Sequence, residues 1–124
     1  MVKILIVDDE VDITECCVMY FKNLGYDMYG AKNSKEAFEA IEKNKPDILL
    51  LDINLRERYT GLDVLKKALQ VNPKAQAIML TGMGHEAIVE DCLKQGAKLI
   101  LNKPIILEQL KETITTYVKK VEHK

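Results

Sequence analysis

Four short apolar runs along the chain stop at residues that carry chemistry. Ile4 to Val7 ends in Asp8-Asp9, and Ile48 to Leu51 ends in Asp52. Ile78 to Leu80 ends in Thr81, and Leu99 to Leu101 ends, after Asn102, in Lys103-Pro104. Runs this short, and apolar at every position, suit strands buried on both faces of a parallel sheet. Segments of helical periodicity separate them. Glu10–Leu24 places Val11, Ile13, Cys17, Val18, Phe21 and Leu24 near helical spacing, with Gly25 as its stop. Asp27–Gly30 reads as a short second strand. Asn33-Ser34, with Glu36 placed to cap back, opens a helix whose buried stripe is Ala37, Phe38, Ala40 and Ile41, and Pro46 ends it. Asp47–Asp52 is the third strand. Thr60 with Asp63 resembles a capping box for a helix through Val71, stopped by Asn72-Pro73. Gln76–Leu80 is the fourth strand, Gly82-Met83-Gly84 a flexible joint, and His85–Gln95 a helix ending at Gly96. Lys98–Leu101 is the fifth strand. Ile106–Val121 is the last helix, with Leu107, Leu110, Ile114, Tyr117, Val118 and Val121 on one stripe.

A βα unit repeated five times predicts an α/β fold: a five-stranded parallel sheet with helices on both faces. The number of strands and the length of 124 residues favour the flavodoxin-like order 2-1-3-4-5 over the longer Rossmann order. That length suits one domain, residues 1–124, large enough to bury a core without disulfides or a structural metal. A net charge of −1, with scattered basic residues, disfavours broad nucleic-acid or anionic-membrane binding. Lys119-Lys120 is too short for a polybasic tail. The cysteines are Cys16, Cys17 and Cys92, an odd number without Cys-x-x-Cys spacing, so buried thiols in a reducing cytosol are expected rather than a zinc site. No run approaches the roughly 18 apolar residues of a membrane span. The expected location is therefore cytoplasmic.

Open parallel sheets bind ligands at the carboxyl ends of their strands. Three carboxylates, a hydroxyl and an ammonium converge there. Asp8 and Asp9 facing Asp52 would repel strongly if all were ionised and unpaired. A hard divalent cation, Mg²⁺ before others, removes that repulsion. Helix capping by an aspartate explains one of them, and Asp9 suits that role too, but not three. Asp52 can attack phosphorus to give an aspartyl phosphate. Lys103 could pair with Asp52 at rest and with a phosphoryl oxygen afterwards, and a cis bond to Pro104 would aim its side chain inward. Thr81 could donate to a phosphoryl oxygen, with the following glycines letting the loop move to meet it. His85, His123 and Cys92 read as incidental, and the five tyrosines show no stacking pattern for nucleic acid.

Two other functions suit part of this pattern. A phosphatase with an aspartate nucleophile after its first strand would carry Asp-x-Asp, where this chain has adjacent aspartates. A flavin or nucleotide carrier would carry a phosphate-cradling loop, where Asp8-Asp9-Glu10 would repel phosphate without a metal.

The ordered set Asp8-Asp9, Asp52, Thr81 and Lys103 at successive strand ends resembles the receiver domain of two-component response regulators, from Met1 to about Val121. The resemblance implies that Asp52 accepts a phosphoryl group from a phosphohistidine on a sensor histidine kinase or phosphotransfer protein. Asp9 would bind Mg²⁺ directly, Asp8 mostly through water, and the Asn54 backbone carbonyl would complete the protein ligands beside Asp52. Thr81 and Lys103 would hold the phosphoryl oxygens. Such a protein is a signalling module rather than an enzyme with a separate substrate, catalysing only its own phosphorylation and dephosphorylation, and it acts on a downstream protein target. A stand-alone regulator is expected from the initial Met and the end soon after the fifth helix. Two features depart from the family. Ile100 stands where a tyrosine or phenylalanine is common, and the stretch from Ile53 to Gly61 lacks the usual proline and reaches its glycine one residue later.

Overall fold

The computed structural model describes residues 1–55, 60–82 and 86–122. Its elements alternate without exception: β1 (Lys3–Val7), α1 (Val11–Asn23), β2 (Asp27–Ala31), α2 (Ser34–Asn44), β3 (Ile48–Asp52), α3 (Gly61–Val71), β4 (Gln76–Thr81), α4 (Glu86–Lys94), β5 (Leu99–Asn102) and α5 (Leu107–Glu122). All strands pair in parallel, in the order β2-β1-β3-β4-β5. This is the predicted flavodoxin-like arrangement, and element ends lie within a residue or so of those read from the sequence.

The core divides by strand parity. Leu5, Val7, Leu49, Leu51, Ala77 and Met79 point to one face, where Ala37, Ile41, Val64, Leu65 and Cys92 of α2, α3 and α4 cover them. Ile4, Ile6, Ile48, Leu50, Ile78 and Leu80 point to the other, under Cys17 and Phe21 of α1 and Leu110, Ile114 and Tyr117 of α5. Every residue of β3 is buried. Each of its four aliphatic side chains contributes about 1.5–3 kcal/mol relative to an exposed position. This double burial is why β1, β3 and β4 read as unbroken apolar runs. β2 is an edge strand, paired only with β1. It extends to Ala31, one residue further than expected, because Ala31 pairs with Val7 and is itself buried.

The helix ends follow local chemistry. The Asn33 side chain accepts from the Glu36 N–H at 2.8 Å, and Glu36 Oε1 accepts from the Lys32 N–H at 3.0 Å. The Thr60 N–H donates to Asp63 Oδ2 at 2.8 Å. At the start of α1 the expectation fails: the N-cap residue is Glu10, not Asp9, and its own side chain makes no capping bond. His85, His123 and most of the expected joint at Gly82-Met83-Gly84 lie outside the described residues. The cysteines correct another expectation. Cys17 and Cys92 are buried, but Cys16 is exposed, because α1 turns it toward solvent. Burial pushes the Cys17 thiol up to about 11.

Gly61 joins α3 to the end of β3. Its N–H donates to the Ile53 carbonyl at 3.0 Å. A Cβ at this position would lie 2.2 Å from the Asp52 carbonyl oxygen and 2.9 Å from the Ile53 Cα. Both neighbours are backbone, so neither can yield without moving the strand end. Gly61→Ala should therefore lower the urea midpoint, by an equivalent of about 1–3 kcal/mol of stability. An unchanged midpoint would show that the strand end is not pinned here.

Candidate functional site

The sheet register assembles the site. Val7 pairs with Leu51, so Asp8 and Asp52 each stand one residue beyond a paired position on neighbouring strands. Thr81 pairs with Asn102, which places Lys103 one residue past the end of β5. The Lys103–Pro104 bond is cis, one of the two forms the sequence allowed. Asp8, Asp9 and Asp52 each bring a carboxylate oxygen within 4.8 Å of the others. Asp8 is fully buried and Asp52 is 5% exposed.

Lys103 supplies the counter-charge. Its Nζ lies 3.1 Å from Asp52 Oδ2, the pairing read from the sequence. It also lies 3.0 Å from Asp8 Oδ2. That second contact was not foreseen, because no sequence pattern told which carboxylates would lean toward the ammonium. The remaining oxygens are held by backbone. The Glu10 N–H donates to Asp8 Oδ1 at 3.0 Å, and the Asn54 N–H donates to Asp52 Oδ1 at 3.2 Å. Thr14, buried in the first turns of α1, donates its hydroxyl to the Asp8 carbonyl at 2.9 Å. Its sequence signal was weak: a threonine on an otherwise apolar helical stripe.

Thr81 is buried at the same edge, but its hydroxyl donates to the Gly82 carbonyl at 3.0 Å. Contact with a group on Asp52 would require that hydroxyl to turn. Thr81, Gly82, Glu86, Val89, Ile100 and Asn102 line a cleft of about 250 Å³. Ile100 is half-buried against the α4 side of the sheet. Four residues of the long loop after Asp52, 56–59, lie outside the described residues.

The electrostatics follow from burial. Burial pushes the Asp52 carboxyl up to about 6; the Lys103 ammonium opposes the rise, and the Asp8 carboxylate adds to it. Burial alone would lower Lys103, but Asp8 and Asp52 outweigh it and hold the ammonium above its ordinary value. Asp8 Oδ2 is buried without a hydrogen bond of good geometry and meets Lys103 only as an ion pair. Three converging carboxylates, one with such an underused oxygen, are the donor set of a hard divalent cation. The residues present therefore accommodate a metal. Among the described residues they are the one such cluster.

A pH dependence follows for the metal-free protein. Asp52 is raised from 3.8 to about 6 on folding. The folded state thus holds a proton more tightly than the unfolded chain. The associated stability is present below the unfolded pKa and is lost as pH rises through about 6. With EDTA present, wild type should lose on the order of 2–3 kcal/mol relative to Asp52→Asn between pH 4 and 7. Urea unfolding across that range measures it. Parallel curves for the two proteins would contradict the assignment.

Comparison with known proteins agrees with this geometry. The response regulator receiver domain family matches residues 4–115. The chain is 35% identical over 103 residues to the chemotaxis protein CheY of Thermotoga maritima, covering 82% of this chain and 85% of that protein. It is 27% identical over 116 residues to sporulation initiation phosphotransferase F of Bacillus subtilis, covering 94% and 93%. The crystal structure of a CheY-like response regulator receiver domain protein from Methanospirillum hungatei superposes with a TM-score of 0.92 at 28% identity, over 99% of this chain and 98% of that one. Among the described residues no helix is long and apolar enough to cross a membrane. With strand order, acidic cluster and lysine all in place, the chain belongs to the response regulator receiver domain family, a signalling module of two-component systems.

Proposed function

We propose that Asp52 is the phosphoacceptor of a Mg²⁺-dependent receiver. The carrying observation is the convergence of Asp8, Asp9 and Asp52 within 4.8 Å, with Lys103 3.1 Å from Asp52. An Asp52 carboxylate oxygen attacks phosphorus, and the bond from phosphorus to the imidazole nitrogen of a phosphohistidine breaks. The donor is a sensor histidine kinase or a phosphotransfer protein. Asp8, Asp9, Asp52 and the Asn54 backbone carbonyl would hold Mg²⁺, which supplies charge neutralisation for the transferring group. The chain's own part is positioning. The Asn54 N–H fixes Asp52 Oδ1, which leaves Oδ2 facing the site. Lys103 gives up part of its hold on Oδ2 and takes a phosphoryl oxygen. The protein thereby catalyses its own phosphorylation, and water later attacks phosphorus, breaks its bond to the Asp52 oxygen and releases inorganic phosphate.

The signal leaves through Thr81. Its hydroxyl exchanges the Gly82 carbonyl for a phosphoryl oxygen, and the backbone after β4 follows. A modification shifts such an equilibrium only by its different interaction with the two states, and this bond is the source of the difference. Ile100 is β-branched and has little rotamer freedom, so the change passes through the segment after Thr81 more than through Ile100. The downstream target is a protein that reads this surface, and the domain, residues 1–124, acts in the cytoplasm without contacting nucleic acid or entering a membrane.

Incubation with Mg²⁺ and acetyl phosphate should place a single hydroxylamine-labile phosphoryl group on the wild-type protein. Asp52→Asn should abolish it. Asp9→Ala should abolish it too, while remaining folded, because loss of one of three crowded carboxylates relieves repulsion. Intact mass and circular dichroism report both. Equal labelling of the Asp52→Asn protein would refute the acceptor assignment.

A further inference from the structure

Glu10 stands outside the metal-binding cluster yet faces the same ammonium. Its Oε1 lies 3.7 Å from Lys103 Nζ, beside Asp8 at 3.0 Å and Asp52 at 3.1 Å. Its side chain is 49% exposed, while those of Asp8 and Asp52 are almost wholly enclosed. Glu10 and Lys103 together line a groove of about 600 Å³ between α1 and the start of α5. Capping gives no reason for a glutamate here, although its charge suits the positive end of the helix dipole. N-cap positions favour Ser, Thr, Asp or Asn, whose side chains reach the free N–H groups. Glu10 holds that position without making such a bond.

We propose that Glu10 is a positioning residue that competes with the phosphoryl group for Lys103, and so sets how firmly the phosphorylated state is held. The inference rests on the assignment of Asp52 as acceptor. An ammonium has three N–H donors, and here three carboxylates surround it. A cation among Asp8, Asp9 and Asp52 discharges two of those pairings. It leaves the third, because Glu10 does not belong to that cluster. Glu10 therefore keeps drawing the ammonium toward solvent after the metal has released it on the inner side. A phosphoryl oxygen must win Lys103 against that pull. The pull is modest, since an ion pair with one exposed partner is screened by water.

The test uses beryllium trifluoride as a phosphoryl mimic at saturating Mg²⁺, with affinity read by NMR titration. Glu10→Gln should bind the mimic about three- to fivefold more tightly than wild type, the scale of one exposed ion pair. Mg²⁺ affinity, measured alone, should not rise and should fall no more than a few-fold, because Lys103 then stays with Asp8 and Asp52; the gain in the mimic therefore does not come from tighter metal binding. In a Lys103→Ala background the gain should vanish, because the lysine transmits the effect. Equal affinity in Glu10→Gln and wild type would overturn the inference. So would a gain that persists without Lys103, which would mean simple repulsion of anions at the mouth. Binding of the mimic that Asp52→Asn leaves intact would instead overturn the acceptor assignment, and this inference with it.

Discussion

Everything at this sheet edge depends on a single ammonium. Two carboxylate charges within 4.8 Å of each other repel by about 3.5 kcal/mol or more at an effective dielectric of about 20, and burial adds the cost of removing each from water. β1 and β3 nevertheless deliver Asp8 and Asp52 to adjacent, enclosed positions. Lys103 makes that placement tolerable by facing both at about 3 Å. The balance is incomplete. Asp52 still prefers a proton well above the ordinary carboxylate range, and Asp8 Oδ2 lacks a well-formed hydrogen bond. A site left in that condition has unspent affinity for further positive charge.

The scaffold keeps the site from relaxing. The Thr14 hydroxyl holds the Asp8 carbonyl, the Glu10 and Asn54 N–H groups hold the Oδ1 atoms, and the backbone of Gly61 lies against the Asp52 carbonyl. With these groups fixed, incoming charge is answered, in the proposed function, by Lys103 and Thr81, whose side-chain contacts a phosphoryl oxygen would replace. The same edge that concentrates negative charge thus lies against the ends of β4 and β5, the route by which the proposed function carries a change to a partner.

Much of this was legible in the sequence because β1, β3 and β4 are buried on both faces. That produces apolar runs whose ends are unmistakable, and Asp8, Asp9, Asp52 and Thr81 fall at those ends. Strand order and the Asp52–Lys103 pairing followed. What escaped detection depends on side-chain direction and helix phase. Asp8 and Glu10 facing Lys103, Thr14 holding a carbonyl, and Cys16 turned to solvent while Cys17 is buried all depend on rotations of less than one helical turn. β2 was harder to delimit because it is paired on one side only, so its burial does not mark every position. The N-cap of α1 was misplaced for a related reason: Asp8, already fixed by the strand, takes the Glu10 N–H, and Glu10 itself starts the helix.

If Lys103 is a stand-in for a cation, removing its charge should make the site hungrier for one. The direct measurement is the Mg²⁺ affinity of Lys103→Met beside wild type, by calorimetry at neutral pH. The methionine keeps most of the apolar stem and removes only the ammonium. The account predicts about a tenfold gain in Mg²⁺ affinity, equivalent to about 1.4 kcal/mol, because the metal no longer displaces a competing charge. Unchanged or weaker Mg²⁺ binding would show that Lys103 does not hold Asp8 and Asp52 in place of a metal, and would contradict the account at its centre.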